Sequence, residues 1–183
     1  MKTILQVEDD PNDVFLFQHA MTRAGVTNPV QVASDGQQAI DYLQGAGKFA
    51  DREKYPFPCL VLLDLKLPYV MGLDVLKWIR EQPGTALTVL MLTASGEEAD
   101  VESAYRLGAN GFLTKPSEAS KLHDIVKAIK DFWLMHNVLP REAYAQRATF
   151  PATSHTTGPE TMYLASSHGA SREVWPQNTK GQP

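Results

Sequence analysis

Residues 59–64 read Cys59-Leu60-Val61-Leu62-Leu63-Asp64, five apolar side chains in succession closed by a carboxylate. A strand wetted on one face alternates apolar and polar residues, whereas a short continuous apolar run is what a strand buried on both faces of a parallel sheet requires. Thr3-Ile4-Leu5-Gln6-Val7 and Leu87-Thr88-Val89-Leu90-Met91-Leu92 have nearly the same character, and Val30-Gln31-Val32-Ala33 and Gly111-Phe112-Leu113-Thr114 are weaker versions of it.

Between these runs the period becomes helical. Val14, Phe17, Met21 and Ala24 share a face after Asp10-Pro11, where Asp10 can cap and Pro11 can open a helix. Ala39, Ile40 and Leu43 follow Asp35 as a cap, and Leu73, Leu76 and Ile79 follow Gly72, a backbone device near the helix start. Val101, Ala104 and Tyr105 follow Ser95-Gly96-Glu97-Glu98, a capping-box spacing, and Leu122, Ile125, Val126, Ile129, Phe132 and Trp133 line the last helix. Five strands, each followed by a helix, predict a doubly wound parallel five-stranded α/β sheet, because right-handed crossovers return over its faces.

The 183 residues carry 17 Lys+Arg against 21 Asp+Glu, a net charge of -4, and one cysteine. That balance is a poor footprint for a nucleic-acid backbone, and one cysteine makes neither an internal disulfide nor a thiolate zinc site. No run approaches the roughly 18 apolar residues of a membrane span, and Met1-Lys2 leads to Glu8-Asp9-Asp10 rather than to a cleavage site, so the expected compartment is the cytoplasm.

Residues 1–140 hold 18 acidic and 13 basic side chains, whereas 141–183 hold 3 and 4, and 17 of those last 43 are Gly, Pro, Ser or Thr. The expectation is a domain over 1–140 followed by an irregular, disordered tail over 141–183, too short and too sparsely basic for a DNA-binding output unit. One connection, Gly45–Pro58, is long enough to be functional or mobile.

Open parallel sheets place their chemistry beyond the carboxyl ends of the strands. Those ends carry Glu8 and Asp9, Asp64, Thr93, and Thr114-Lys115-Pro116. Three carboxylates forced together repel unless a cation binds, and hard oxygen ligands suit Mg²⁺. Asp9 and Asp64 would coordinate it directly, the Lys66 carbonyl would add a ligand, and Glu8 would hold a coordinated water. With Lys115 as a second cation and Thr93 as a donor, the set fits phosphoryl transfer with Asp64 as nucleophile.

Ile4-Leu5-Gln6-Val7-Glu8-Asp9-Asp10, Leu62-Leu63-Asp64-Leu65-Lys66-Leu67-Pro68 with Gly72, Leu92-Thr93-Ala94-Ser95, and Gly108-Ala109-Asn110-Gly111-Phe112-Leu113-Thr114-Lys115-Pro116 together resemble the receiver domain of two-component response regulators, over about residues 1–140. The Gly45–Pro58 loop and Ile129-Lys130-Asp131-Phe132-Trp133-Leu134 with Val138-Leu139-Pro140 look like the single-domain regulators that partner bacterial and cyanobacterial phytochromes. The resemblance implies a flavodoxin-like (βα)5 fold and a signalling protein, not a turnover enzyme. It implies Asp64 as phosphoacceptor, Glu8 and Asp9 as the acidic pair, and Lys66 as the metal-binding carbonyl. Thr93 becomes the switch hydroxyl, Lys115 the phosphate-contacting lysine, and Lys115-Pro116 a candidate cis peptide.

The partner it implies is a histidine kinase of phytochrome type, with slow autodephosphorylation through water. Downstream it implies a relay histidine protein or a second copy docking on a face around Tyr105, Phe112 and the Lys121–Trp133 helix, where Phe132 and Trp133 are either core or contact residues. Two positions depart from the family pattern: Glu8 where Asp is commoner, and Phe112 where Tyr is frequent, which leaves Thr93–aromatic coupling to packing alone.

Rival readings remain. A haloacid dehalogenase-type phosphohydrolase needs a second Asp two residues after the nucleophile, where this chain has Lys66. A flavin module needs a small-residue phosphate loop where Glu8-Asp9-Asp10 stands. A phosphorylation-independent pseudo-receiver scaffold has no reason to keep the repulsive acidic set. His19, His123, His136, His155 and His168 show no metal spacing, and Cys59 reads as a small buried hydrophobe.

Overall fold

The computed structural model describes residues 2–83 and 86–138. Strands β1 (Thr3–Val7), β2 (Val30–Ala33), β3 (Pro58–Leu63), β4 (Thr88–Thr93) and β5 (Gly111–Thr114) run parallel in the order β2-β1-β3-β4-β5. Helices α1 (Pro11–Arg23), α2 (Gly36–Gln44), α3 (Gly72–Glu81), α4 (Glu98–Arg106) and α5 (Ala119–Ile129) follow the strands in turn. The chain steps outward from β1 to β2 and then reverses through β3 to β5, so the switch in strand order falls between β1 and β3.

Alternation along the strands builds two cores. Leu5, Val7, Val61, Leu63, Val89 and Met91 meet Ala39, Leu43, Val75, Leu76, Ile79 and Ala104 of α2, α3 and α4. Ile4, Leu60, Leu62, Leu90 and Leu92 meet Phe17, Ala20 and Met21 of α1 and Val126 and Ile129 of α5. Full burial of such a side chain contributes about 1.5–3 kcal/mol, and a one-residue slip would exchange the two faces, so register is tightly set. The weak patterns of β2 and β5 have a simple cause: both are edge strands, paired on one side and partly exposed.

The expected caps of α1 and α2 are present: Asp10 Oδ1 accepts from the Asn12 N–H at 2.8 Å with Pro11 opening the helix, and Asp35 Oδ1 accepts from the Gln38 N–H at 2.7 Å. The capping box expected at Ser95–Glu98 does not form. Glu97 is the cap residue of α4 without a side-chain bond, and Ser95 Oγ instead donates to Asp100 Oδ2 at 2.6 Å, because Ser95 lies two positions too early. Of the three residues expected on one face of α4, Ala104 is buried and Val101 half-buried, whereas Tyr105 is exposed.

The long Gly45–Pro58 connection is folded rather than loose. Phe49 is buried against Tyr42 and Tyr55, with ring centroids 5.2 and 5.1 Å away, and the Tyr42 hydroxyl donates to the Pro56 carbonyl at 2.7 Å. Burial pushes the Tyr42 phenol up to about 12. Arg52 caps the end of α2, donating to the Tyr42 and Leu43 carbonyls at 2.7 Å each, in the place where a helix leaves its last carbonyls unpaired.

After α5 the chain passes into a π-helical turn, Lys130–His136. It divides the aromatic pair: Trp133 packs on the α1/α5 core, whereas Phe132 is 56% exposed. Phe112 packs against the opposite core. The Lys115–Pro116 peptide is trans, a correction to the cis expectation; trans remains the favoured state of an X–Pro bond unless packing selects the other. Among the described residues no helix is long and apolar enough to cross a membrane. The tail expected to be irregular, 141–183, lies outside the described residues.

Candidate functional site

Glu8, Asp64, Thr93 and Lys115 are brought by β1, β3, β4 and β5 to one edge of the sheet, each at or just past the carboxyl end of its strand. Backbone bonds align these ends: the Asp64 N–H donates to the Val7 carbonyl at 3.0 Å, and the Lys115 N–H to the Thr93 carbonyl at 2.7 Å. Period-two alternation puts Glu8 on the same side of β1 as Ile4 and Gln6, facing α1 and α5, and only 4% of it is exposed.

Lys115 Nζ is the centre of the cluster. It donates to Asp64 Oδ2 at 2.6 Å, to Asp13 Oδ2 at 2.9 Å, and in a very short contact to Glu8 Oε2. Burial works against the charged ammonium, but hydrogen bonds to Asp64, Glu8 and Asp13 outweigh it and hold Lys115 above its ordinary value. Glu8 moves the other way in charge terms: burial lifts its carboxyl to about 7, and the contact with Lys115 only partly offsets this. One cation shared among three carboxylates leaves the site short of positive charge.

Asp64 is held from behind. Its Oδ1 accepts from the Leu65 N–H at 2.5 Å and the Lys66 N–H at 3.2 Å, which fixes the carboxylate plane. A Cβ on Gly72 would lie 2.0 Å from the Asp64 carbonyl oxygen, and one on Gly36 would lie 2.1 Å from the Val70 carbonyl oxygen. Gly72 is therefore a steric requirement of the Asp64 backbone, and Gly36 seats α2 against the loop that follows β3. In that loop Tyr69 adopts φ 65, a left-handed conformation that side chains other than Gly rarely take, with its ring exposed.

The Thr93 hydroxyl is buried and accepts from the Ser95 N–H at 3.3 Å. Asp9 is exposed and takes no part in the Lys115 cluster. The Lys66 side chain is also exposed. Among the described residues no three His, Cys, Asp or Glu side chains converge as a ready-made metal cage. The donor chemistry nevertheless suits a hard divalent ion, since the strand ends offer carboxylates and carbonyls, and burial raises the Glu8 carboxyl to about 7.

Asp13 was missing from the sequence expectations. Its signal was its place in the first turn of α1, one turn after Asp9, on a helix that packs beside α5 and so faces the end of β5. Asp13, Lys115 and Glu8 also border a cleft between α1 and α5, walled by Leu16, Phe17, Leu92 and Leu122.

A parallel five-stranded sheet whose strand ends gather carboxylates, a hydroxyl and a lysine defines a class, and comparison with known sequences agrees: the response regulator receiver domain family matches residues 4–127, and the chain belongs to it. It is similar to the response regulator Rcp1 of a Synechocystis species, 36% identical over 140 residues, which cover 76% of this chain and 93% of that protein. Among solved structures, the Mn(2+)-bound form of Rcp1 superposes with a TM-score of 0.69 at 36% identity, covering 76% of this chain and 99% of that one. The phosphorylated cyanobacterial phytochrome response regulator RcpA superposes with a TM-score of 0.70 at 37% identity, covering 76% and 98%.

Proposed function

We propose that residues 1–140 form a receiver module in which Asp64 accepts a phosphoryl group from the phosphohistidine of a histidine kinase, of phytochrome type given the likeness to RcpA. The observation that carries this reading is the Lys115 ammonium joined to both Glu8 and Asp64 at the sheet's switch point. A carboxylate oxygen of Asp64 attacks phosphorus, the phosphorus–nitrogen bond of the donor breaks, and the imidazole leaves with its electron pair and takes a proton. Lys115 neutralises a phosphoryl oxygen, and the Leu65 and Lys66 amides hold the remaining oxygen of Asp64 so that the nucleophile does not rotate away.

Mg²⁺, held by Asp9, Asp64 and the Lys66 carbonyl with Glu8 behind a water, would supply the charge that Lys115 alone does not. Phosphorylation gives the Thr93 hydroxyl, whose oxygen already accepts from the Ser95 N–H, an acceptor for its own O–H, drawing the β4 end inward and repacking the α4–β5–α5 face. Exposed Tyr105 and Phe132, with Phe112 and Trp133 packed behind, form the face on which a second copy or a relay histidine protein docks. The acyl phosphate is then lost slowly to water, and the protein acts in the cytoplasm as a signalling component.

Transfer of radiolabel from an autophosphorylated phytochrome-type kinase to this chain, absent from Asp64→Asn, is the expected result. Labelling that persists in Asp64→Asn would move the acceptor elsewhere. Sustained turnover of small phosphate esters would instead favour a phosphohydrolase.

A further inference from the structure

We propose that Asp13 is a positioning residue for phosphoryl uptake: it tethers Lys115 sideways in the resting protein, tempers its charge, and is the contact Lys115 yields when a phosphoryl group enters. This deepens the reading of Asp64 as acceptor and rests on it.

An ammonium has three N–H donors, and those of Lys115 are directed at Glu8, Asp64 and Asp13. A phosphoryl group on Asp64 lies further out than the carboxylate oxygen it replaces, so the N–H now given to Asp64 must follow a phosphoryl oxygen outward. Of the two remaining contacts, that with Glu8 is the costlier to surrender, because Glu8 is almost fully buried. The Asp13 side chain is 40% exposed, against 13% for Lys115, and borders the cleft between α1 and α5, so water can take over its hydrogen bond. Asp13 also places a negative charge beside the path of a dianionic group, which the first-turn location on α1 only partly offsets.

Both effects act in one direction. Replacing Asp13 by Asn keeps a side chain of the same size, removes the charge and loosens the tether. Uptake of phosphoryl from acetyl phosphate in Mg²⁺ should then accelerate about three- to tenfold, the range expected for a partly solvated charge a few ångströms away. Asp13→Glu, which restores the charge, should return the rate close to that of the native protein, and the gain in Asp13→Asn should shrink as salt is raised.

A merely structural first-turn acid would lower stability without speeding phosphorylation. Time-resolved intact mass of the full chain, beside a thermal melt, separates the cases, and Asp13→Ser provides a second neutral variant should Asp13→Asn fold poorly. Faster uptake in a neutral variant with rescue by Glu supports the role. Equal or slower uptake in folded neutral variants, or a Glu variant as fast as Asn, overturns it while leaving Asp64 as acceptor intact. If neither the native chain nor any variant takes up phosphoryl, the function and this role fall together.

Discussion

Gly72 stands so close behind Asp64 that a Cβ at that position would lie 2.0 Å from the Asp64 carbonyl oxygen. The obstacle is backbone, not the end of a flexible side chain, so the α3 start or the β3 end has to shift to admit even a methyl group. Gly72→Ala is therefore expected to destabilise the protein by about 3 kcal/mol or more, read as a lower urea midpoint. Because the shift falls on Asp64, the proposed acceptor, phosphoryl uptake should slow in the protein that still folds.

Lys115 ties together three carboxylates from β1, α1 and β3. Lys115→Met removes the cation they share, which leaves Glu8 and Asp64 buried without a charged partner among the described residues. The expected cost at pH 8 is about 3–5 kcal/mol in metal-free buffer, measured by denaturant titration. A substantial part should return at pH 5.5, where Glu8 takes up a proton.

The raised carboxyl of Glu8 gives a pH dependence of definite sign. Between about 4.5, its ordinary value, and about 7 in the folded protein, the folded state binds more protons than the unfolded one. Stability from this group is thus fully present below about 4.5 and is lost as pH rises through 7. In metal-free buffer the native chain should lose on the order of 3 kcal/mol relative to Glu8→Gln across that window. A difference between the two proteins that stays flat with pH would contradict it.

Far from the site, Arg80 joins α3 to the lower ends of β4 and β5, donating to the Gly108 and Leu87 carbonyls and to Asn110 Oδ1, each at 2.9 Å. Asn110 Oδ1 accepts in turn from the Val89 N–H at 2.9 Å. Arg80→Ala should cost about 2–4 kcal/mol through unpaired backbone acceptors, seen as a lower melting temperature. Phosphoryl uptake below the melt should stay close to that of the native chain, since none of these groups reaches the strand ends that carry Glu8, Asp64 and Lys115.

Much of this was readable in the residues because it is local. Continuous apolar runs marked β1, β3 and β4, Asp10 and Asp35 announced two helix starts, and the strand order rule alone sent Glu8, Asp64, Thr93 and Lys115 to one edge. What was hidden depends on packing between distant elements. Asp13 joins Lys115 only because α1 lies beside α5, whereas Asp9, four residues earlier, is exposed and makes no bond to that lysine. The length of the Gly45–Pro58 loop suggests a functional or mobile segment, yet one buried phenylalanine and an arginine cap hold it. Phe132 and Trp133 are neighbours in sequence, and only the π-helical turn decides that one faces solvent and the other the core.

The central claim is that Asp64 is the one acceptor of a phosphoryl group. Incubation of the full chain with Mg²⁺ and acetyl phosphate, followed by intact mass, tests it most directly. The expected result is the gain of a single phosphoryl group, lost on alkaline treatment and absent from Asp64→Asn. No gain in the native protein, or an equal gain in Asp64→Asn, would contradict it.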